Sequence, residues 1–335
     1  MEKRWVFKPT ANQQDIDHLK EVLQVDSLVA NLLAQRGIRD FDQARHFFRP
    51  SLDGLYDPFR MKDMNRAIER IEKAIQNNQH ILIYGDYDVD GTTSVALVYS
   101  FLKKFYSNID YYIPDRYEEG YGISYKGIDY AGKNNVSLII ALDCGIKASK
   151  KIDYANSMNI DFIICDHHTP ETKLPGAVAV LDPKRPDCPY PFKELSGCGV
   201  GFKMLQAFSK TNSVDLQELY PFLDLVAVSI ASDIVPIIDE NRTLAYYGLQ
   251  QLNKKPGAGL KAIMDMSGLT EKDHEVAIED VVFRIGPRIN AAGRIESGRS
   301  AVDLLITENH RKAEMMGRKV NSCNDTRKSI DRNIT

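Results

Sequence analysis

Along this chain the spacing of apolar positions changes period. Up to about residue 60 they recur at helical spacing over 15–30, then meet a turn at Gly37 and the pair Phe47-Phe48 before Pro50, a pattern that predicts a small N-terminal cap, 1–60. A helical stretch near 64–76 follows, and short apolar runs then alternate with helical patterns. Strands are expected at 80–84, 110–113, 137–142, 161–165 and near 177–181, with helices at 93–105, 125–134 and 148–158 between them. Such βαβ alternation predicts an α/β fold built on a doubly wound, mainly parallel sheet, with ligands gathering at the C-terminal ends of its strands. From Gly197 the pattern turns helical, at 199–209, 216–232, 242–252 and from about 300 to the end. The organisation expected is a cap, an α/β domain over 61–255, and a helical extension over 256–335. The last segment carries no Gly or Pro stop at its end, so the chain is expected to be cut inside a helix.

Composition narrows the class. With 335 residues, 43% hydrophobic and 27% charged, the chain reads as a soluble globular protein. Its first ten residues hold no apolar run of signal length, and no stretch approaches the ~18 apolar residues of a membrane span, so a cytoplasmic location is expected. Five cysteines, odd in number and without a C-x-x-C pair, argue for reduced thiols rather than a disulfide framework or a zinc ribbon. The net charge of −3 gives no nucleic-acid signal, yet residues 283–335 hold eleven Lys/Arg against six Asp/Glu. That basic tail is either a solvated helix face or a contact for a polyanion.

The chemistry lies at the predicted strand ends. Tyr84-Gly85-Asp86-Tyr87-Asp88-Val89-Asp90-Gly91 places three carboxylates where a buried strand meets a helix. So many like charges repel unless a divalent cation neutralises them. An EF-hand loop shares the D-x-D-x-D-G start, but its twelfth position is Leu97 and a strand precedes it, which excludes that reading. Asp143 follows the third predicted strand and Asp166-His167-His168 the fourth; Asp233, in Ala-Ser-Asp-Ile-Val-Pro, completes four clusters expected at successive strand ends. Either an isolated Asp or a His pair alone would more often be a helix cap or filler. Together they predict one crevice. Carboxylates outnumber imidazoles and no thiol is suitably spaced, which favours hard divalent ions, with histidine tilting the choice from Mg²⁺ toward Mn²⁺. Five or six ligands suit two ions, the arrangement that clamps both oxygens in phosphoester hydrolysis.

The Asp166-His167-His168 triplet, the GDYDVDG run, IPDRYEEGYG at 113–122, SGCGVGFKM at 196–204, ASDIVP and GPRINAAGR at 286–294 resemble the DHH phosphoesterase superfamily, and within it the bacterial single-strand-specific exonucleases, over about 60–300. The resemblance implies metal ligands at Asp88, Asp90, Asp143, His167, His168 and Asp233, with Asp143 bridging two ions, and Asp86 and Asp166 orienting them from behind. It implies catalytic roles for Asp143, His168 and Asp166. Substrate contacts are implied at Arg116, Arg288 and Arg294, whose guanidinium forks suit phosphates, while Tyr117 and Tyr121 are aromatic candidates for base stacking. It further implies 5′-to-3′ hydrolysis of single-stranded DNA to mononucleotides in repair and recombination, with a single-strand-binding protein and a helicase as candidate partners, and a helix leading on to a DHHA1 domain. The superfamily's frequent histidine at the start of the first motif is Tyr84 here. Two rivals stand beside this reading: a phosphodiesterase of the same superfamily acting on short oligonucleotides or cyclic dinucleotides, and a non-catalytic replication scaffold.

Overall fold

The computed structural model describes residues 4–271, 274–295 and 297–334. They form two compact units, Met1–Leu55 and Tyr56–Thr335. In the first unit, α1 (Gln13–Leu23), α2 (Ser27–Ala34) and α3 (Phe41–Phe48) enclose a small core of Ile16, Leu19, Ala30, Leu33, Ile38 and Ala44. One helix was expected over 15–30, but two are present. Gln24 turns into the left-handed region at φ 55°, and the Asp26 carboxylate then accepts the Val29 N–H at 2.9 Å and starts a new helix.

The second unit is built on five strands in the order β2-β1-β3-β4-β5, every pairing parallel. They are β1 (His80–Gly85), β2 (Ile109–Tyr112), β3 (Val136–Leu142), β4 (Asp161–Cys165) and β5 (Ala179–Leu181). β1, β3 and β4 are apolar on both faces because both faces are covered. Leu82, Tyr84, Ile139, Ala141, Phe162 and Ile164 pack with Ile128 of α6 (Tyr125–Lys133) and Ile152 of α7 (Ser149–Ser157). On the opposite face lie α4 (Met64–Gln76), α5 (Val89–Lys103) and α8 (Gly197–Thr211), where Cys165 touches Met204 at 3.6 Å. The strand order reverses between β1 and β3, which opens a crevice beyond their C-terminal ends.

The expected helix over 216–232 is shorter in the structure. Two 3₁₀ turns, Leu216–Glu218 and Tyr220–Phe222, precede α9 (Leu223–Ser232), because Pro221 has no N–H to give a helix interior. α10 (Asp239–Lys254) and α11 (Ala258–Met266) follow. The expected stretch from 300 onward divides into Gly298–Leu305 and His310–Ile334, with the Asn309 side chain accepting the Lys312 N–H at 3.1 Å to begin the second. Before them, a π-helical turn, Val281–Ile285, runs into the helix Gly286–Ile295. Among the described residues, no helix is long and apolar enough to cross a membrane.

Candidate metal centre

Three of the four expected clusters stand at strand ends. Asp86, Asp88 and Asp90 follow β1, Asp143 follows β3, and Asp166-His167-His168 follow β4. The fourth expectation is corrected: Asp233 caps the C-terminus of α9 and reaches the crevice from a helix. A carboxylate does end β5, namely Asp182, which the sequence pattern did not single out. It is fully buried, and burial first, then the nearby Asp166 charge, push it up to about 7 against the pull of Lys184 and Arg185.

Each acidic side chain is held by a definite set of donors. Asp88 caps α5, accepting the Gly91 N–H at 2.9 Å, and so turns its other oxygen free of the helix. Asp90, one residue into α5, is buried and receives the N–H groups of Gly197 and Cys198 at 2.7 and 2.8 Å and the Ser229 hydroxyl at 2.7 Å. The start of α8 thus points its free backbone donors and positive dipole end at one carboxylate. Asp86 is taken up by the Tyr87 and Gly122 N–H groups at 2.6 and 2.8 Å. Asp166 receives the N–H of Ile146 at 2.9 Å and of His167 at 2.7 Å, and lies 2.8 Å from His168 Nδ1.

His167 is where these groups meet. Its Nε2 stands 3.1 Å from Asp143 Oδ1, 3.6 Å from Asp233 Oδ2 and 3.7 Å from Asp90 Oδ2, yet none of these approaches is aligned as a hydrogen bond. Donor atoms of Asp143, His167 and His168 lie within 4.8 Å of one another, and so do those of Asp90, His167 and Asp233. Asp88 belongs to neither set but is close enough to Asp143 to share a hydrogen bond when one of them is protonated.

The electrostatics match that crowding. Burial, followed by repulsion from Asp90 and Asp88, pushes Asp143 well above the carboxylate range. Burial lifts Asp88 as well, and takes Asp86 and Asp233 up to about 7. Desolvation lowers His167, whereas the Asp166 hydrogen bond raises His168. Asp166 goes the other way: burial raises it, but the His168 bond and charge and the Ile146 N–H outweigh that and hold it low. Buried carboxylate oxygens and imidazole nitrogens without protein donors form a hard, oxygen-rich set that suits divalent cations.

Tyr84, where a histidine would have faced the crevice, is fully buried. Its hydroxyl donates to the Gly122 carbonyl and accepts the Ser124 N–H, both at 3.1 Å, so it pins the turn that also serves Asp86. Arg116 lies with its guanidinium 4.9 Å above the Tyr87 ring, beside the first acidic loop, and Tyr121 is half exposed with its ring edge-on to His168. Arg288 spends its donors on Asn321 at 2.9 Å and on the Arg284 carbonyl at 2.8 Å, tying its helix to the last one. The side chain of Arg294 lies outside the described residues. The GPRINAAGR helix nonetheless abuts the acidic loop: a Cβ on Gly293 would fall 2.6 Å from the Tyr87 carbonyl oxygen. A cavity of about 630 Å³ adjoins the centre at His168 and Asp166 and is lined further by Tyr121, Tyr125, Lys147 and Lys151.

A parallel sheet of order 2-1-3-4-5 with a carboxylate–histidine centre at its switch point is the frame of a DHH-type domain, and residues 80–230 match the DHH family, N-terminal domain. That stretch takes in all five strands and α5 to α8. RecJ proteins are among the chain's relatives: it is 39% identical to the single-stranded-DNA-specific exonuclease RecJ of Bacillus subtilis over 99% of its own length and 41% of that protein, and 30% identical to the Escherichia coli RecJ over 96% and 57%. Among solved structures it resembles an exonuclease RecJ bound to manganese, with a TM-score of 0.75 at 28% identity over 85% of this chain and 70% of that one. The chain thus spans about half the length of the curated relatives it matches.

Proposed function

We propose that this chain carries the metal-bearing site of a hydrolase that cuts single-stranded DNA from the 5′ end and releases mononucleotides, in DNA repair and recombination. The placement of Asp143 supports the reading most directly. It is buried beside Asp88, Asp90 and His167 with an oxygen that no protein group hydrogen-bonds, an arrangement whose repulsion cationic charge relieves. Asp88, Asp90, Asp143, His167, His168 and Asp233 would hold two divalent cations, Mn²⁺ before Mg²⁺, with Asp143 between them. Such cations, when bound, activate water and neutralise the charge that builds on the attacked phosphate.

The chain's own groups do the positioning. Asp166 fixes the His168 ring through Nδ1 and leaves Nε2 as the ring atom that would serve an ion. Gly197 and Cys198 hold the Asp90 carboxylate in place with their N–H groups, and Asp86 ties the first acidic loop to Gly122. Arg116, steadied on Tyr87, would grip a strand phosphate, and Tyr121 would offer a base a ring to stack on. The five cysteines, buried thiols rather than disulfides, accord with a reducing compartment such as the cytoplasm.

Incubating the protein with Mn²⁺ and a long 5′-labelled single strand, beside duplex, dinucleotides and cyclic dinucleotides, tests the proposal. Release of labelled mononucleotides from the single strand in preference to duplex is expected. Hydrolysis confined to dinucleotides or cyclic dinucleotides would transfer the reading to that branch of the superfamily, and no Mn²⁺-dependent hydrolysis of any of them would refute it.

A further inference from the structure

One residue to either side of Asp233, a second cavity opens. It has a volume of about 180 Å³, and its walls are Ser232 and Ile234 from the end of α9, Val282, Pro287 and Asn290 from the π turn and the helix after it, and Arg327 from the last helix. Residues 232 and 234 are each one Cα step, ~3.8 Å, from Asp233, so the cavity lies within a nucleotide's reach of the metal centre.

Three features of this cavity point to a ligand. First, the Ser232 hydroxyl is buried and has no hydrogen-bond partner, although a polar group in that state costs roughly 1–3 kcal/mol. Gly286 is packed so closely on it that a Cβ there would lie 2.6 Å from Ser232 Oγ. Second, the polar wall is a hydroxyl, a carboxamide and the Arg327 guanidinium, whose Nη2 also donates to Asn324 Oδ1 at 3.3 Å; among the described residues no carboxylate lines it. Third, Ile234 stands at the mouth 81% exposed and in the left-handed region, φ 59°. For a β-branched residue that conformation costs roughly 1–2 kcal/mol, which is tolerated most often where function requires it. The space, about six waters' worth, is on the scale of a sugar-phosphate unit rather than a whole nucleotide.

We infer that this cavity is a backbone-phosphate subsite, gripping the phosphodiester next to the one being cut, with Arg327 and the Ser232 hydroxyl on the phosphate oxygens and Ile234 against the sugar. The inference rests on the proposed reading of the centre as acting on a nucleic-acid strand. It also accounts for part of the basic tail, since one of its arginines lines this cavity while neighbours such as Lys328 remain exposed.

A methylphosphonate scan tests it. A single neutral methylphosphonate is placed at each position along a short single strand, binding is read by anisotropy with Ca²⁺, and hydrolysis is read with Mn²⁺. In the parent, one position adjacent to the scissile bond is expected to weaken binding about tenfold, the scale of one charge-assisted contact. In Arg327→Ala that penalty is expected to vanish, unmodified strands to bind about tenfold more weakly, and the salt slope to fall by about 0.7. Arg327→Lys is expected to restore part of the affinity. Ser232→Ala, which keeps the helix contacts of Arg327, is expected to shrink the same penalty about threefold and carries the test should Arg327→Ala not fold. An identical methylphosphonate profile in parent and variants would overturn the subsite. An Arg327-dependent profile without hydrolysis would instead leave the subsite standing and overturn the proposed activity.

Discussion

Gly197 sits directly against Asp143: a Cβ placed on it would lie 2.6 Å from the Asp143 Cβ and 2.8 Å from its Oδ1. The same residue donates its N–H to Asp90 at 2.7 Å. One backbone position therefore sets the spacing of two carboxylates. Gly197→Ala is expected to cost about 1–3 kcal/mol of stability through overpacking and to lower Mn²⁺-dependent kcat/KM at least about 100-fold, some 2.7 kcal/mol of barrier. Thermal melts and steady-state rates check it. A folded variant within about threefold of parent activity would show that the spacing is not critical.

On the proposed reading, Asp143 gives up stability to serve the ions. Asp143→Asn keeps the shape and removes a buried charge that repels Asp90 and Asp88. Without metal, the variant is expected to be more stable than the parent by about 1–3 kcal/mol, and with Mn²⁺ to hydrolyse nothing. Denaturant melts in EDTA, paired with rates in Mn²⁺, separate the two effects. A variant less stable than the parent in EDTA would contradict the strain assigned to this residue.

The stabilisation given by Mn²⁺ is expected to grow with pH. Asp86 and Asp233 are each pushed up to about 7, chiefly by burial, from an unfolded value of 3.8. A carboxyl raised in the fold favours the folded state fully below about 4, and that advantage is lost as pH rises toward about 7. Cations relieve the penalty once both groups ionise, and they compete poorly with protons below that range. The increment in Tm between EDTA and Mn²⁺ should therefore widen from about pH 5 to about pH 8. A constant or narrowing increment would contradict the coupling.

Tyr84 gives a cleaner structural test. Tyr84→Phe removes a buried hydroxyl shared by the Gly122 carbonyl and the Ser124 N–H and leaves both without it. A loss of about 1–3 kcal/mol is expected, with Mn²⁺ affinity within about threefold of the parent. A large fall in metal affinity at unchanged stability would mean that this position still serves the ions as a histidine would.

Much of this was visible in the amino-acid sequence, for reasons tied to particular residues. Strands buried on both faces read as apolar runs, and Asp86–Asp90, Asp143 and Asp166–His168 interrupt them at their ends, so the sheet and three clusters were legible. Asp233 was grouped with the strand ends by its likeness to the other clusters, although the helix expected over 216–232 ends just before it, and the structure leaves it there, at the end of α9. Asp182 escaped notice because an Asp before Pro183 reads as an ordinary turn residue. Ser229 lies mid-helix, where nothing local signals its bond to Asp90. The Gly197 and Cys198 donors were half legible: the glycine-rich SGCGVG run announces a close approach but not to what.

The number of Mn²⁺ ions bound per chain is the most direct test of a two-ion centre bridged by Asp143, measured by isothermal titration together with hydrolysis of a 5′-labelled single strand, in the parent and in Asp143→Asn. Two ions in the parent, with both tight binding and mononucleotide release lost in the folded variant, is the predicted result. Parent-like binding in Asp143→Asn, or hydrolysis by the parent that persists in excess EDTA, would contradict it.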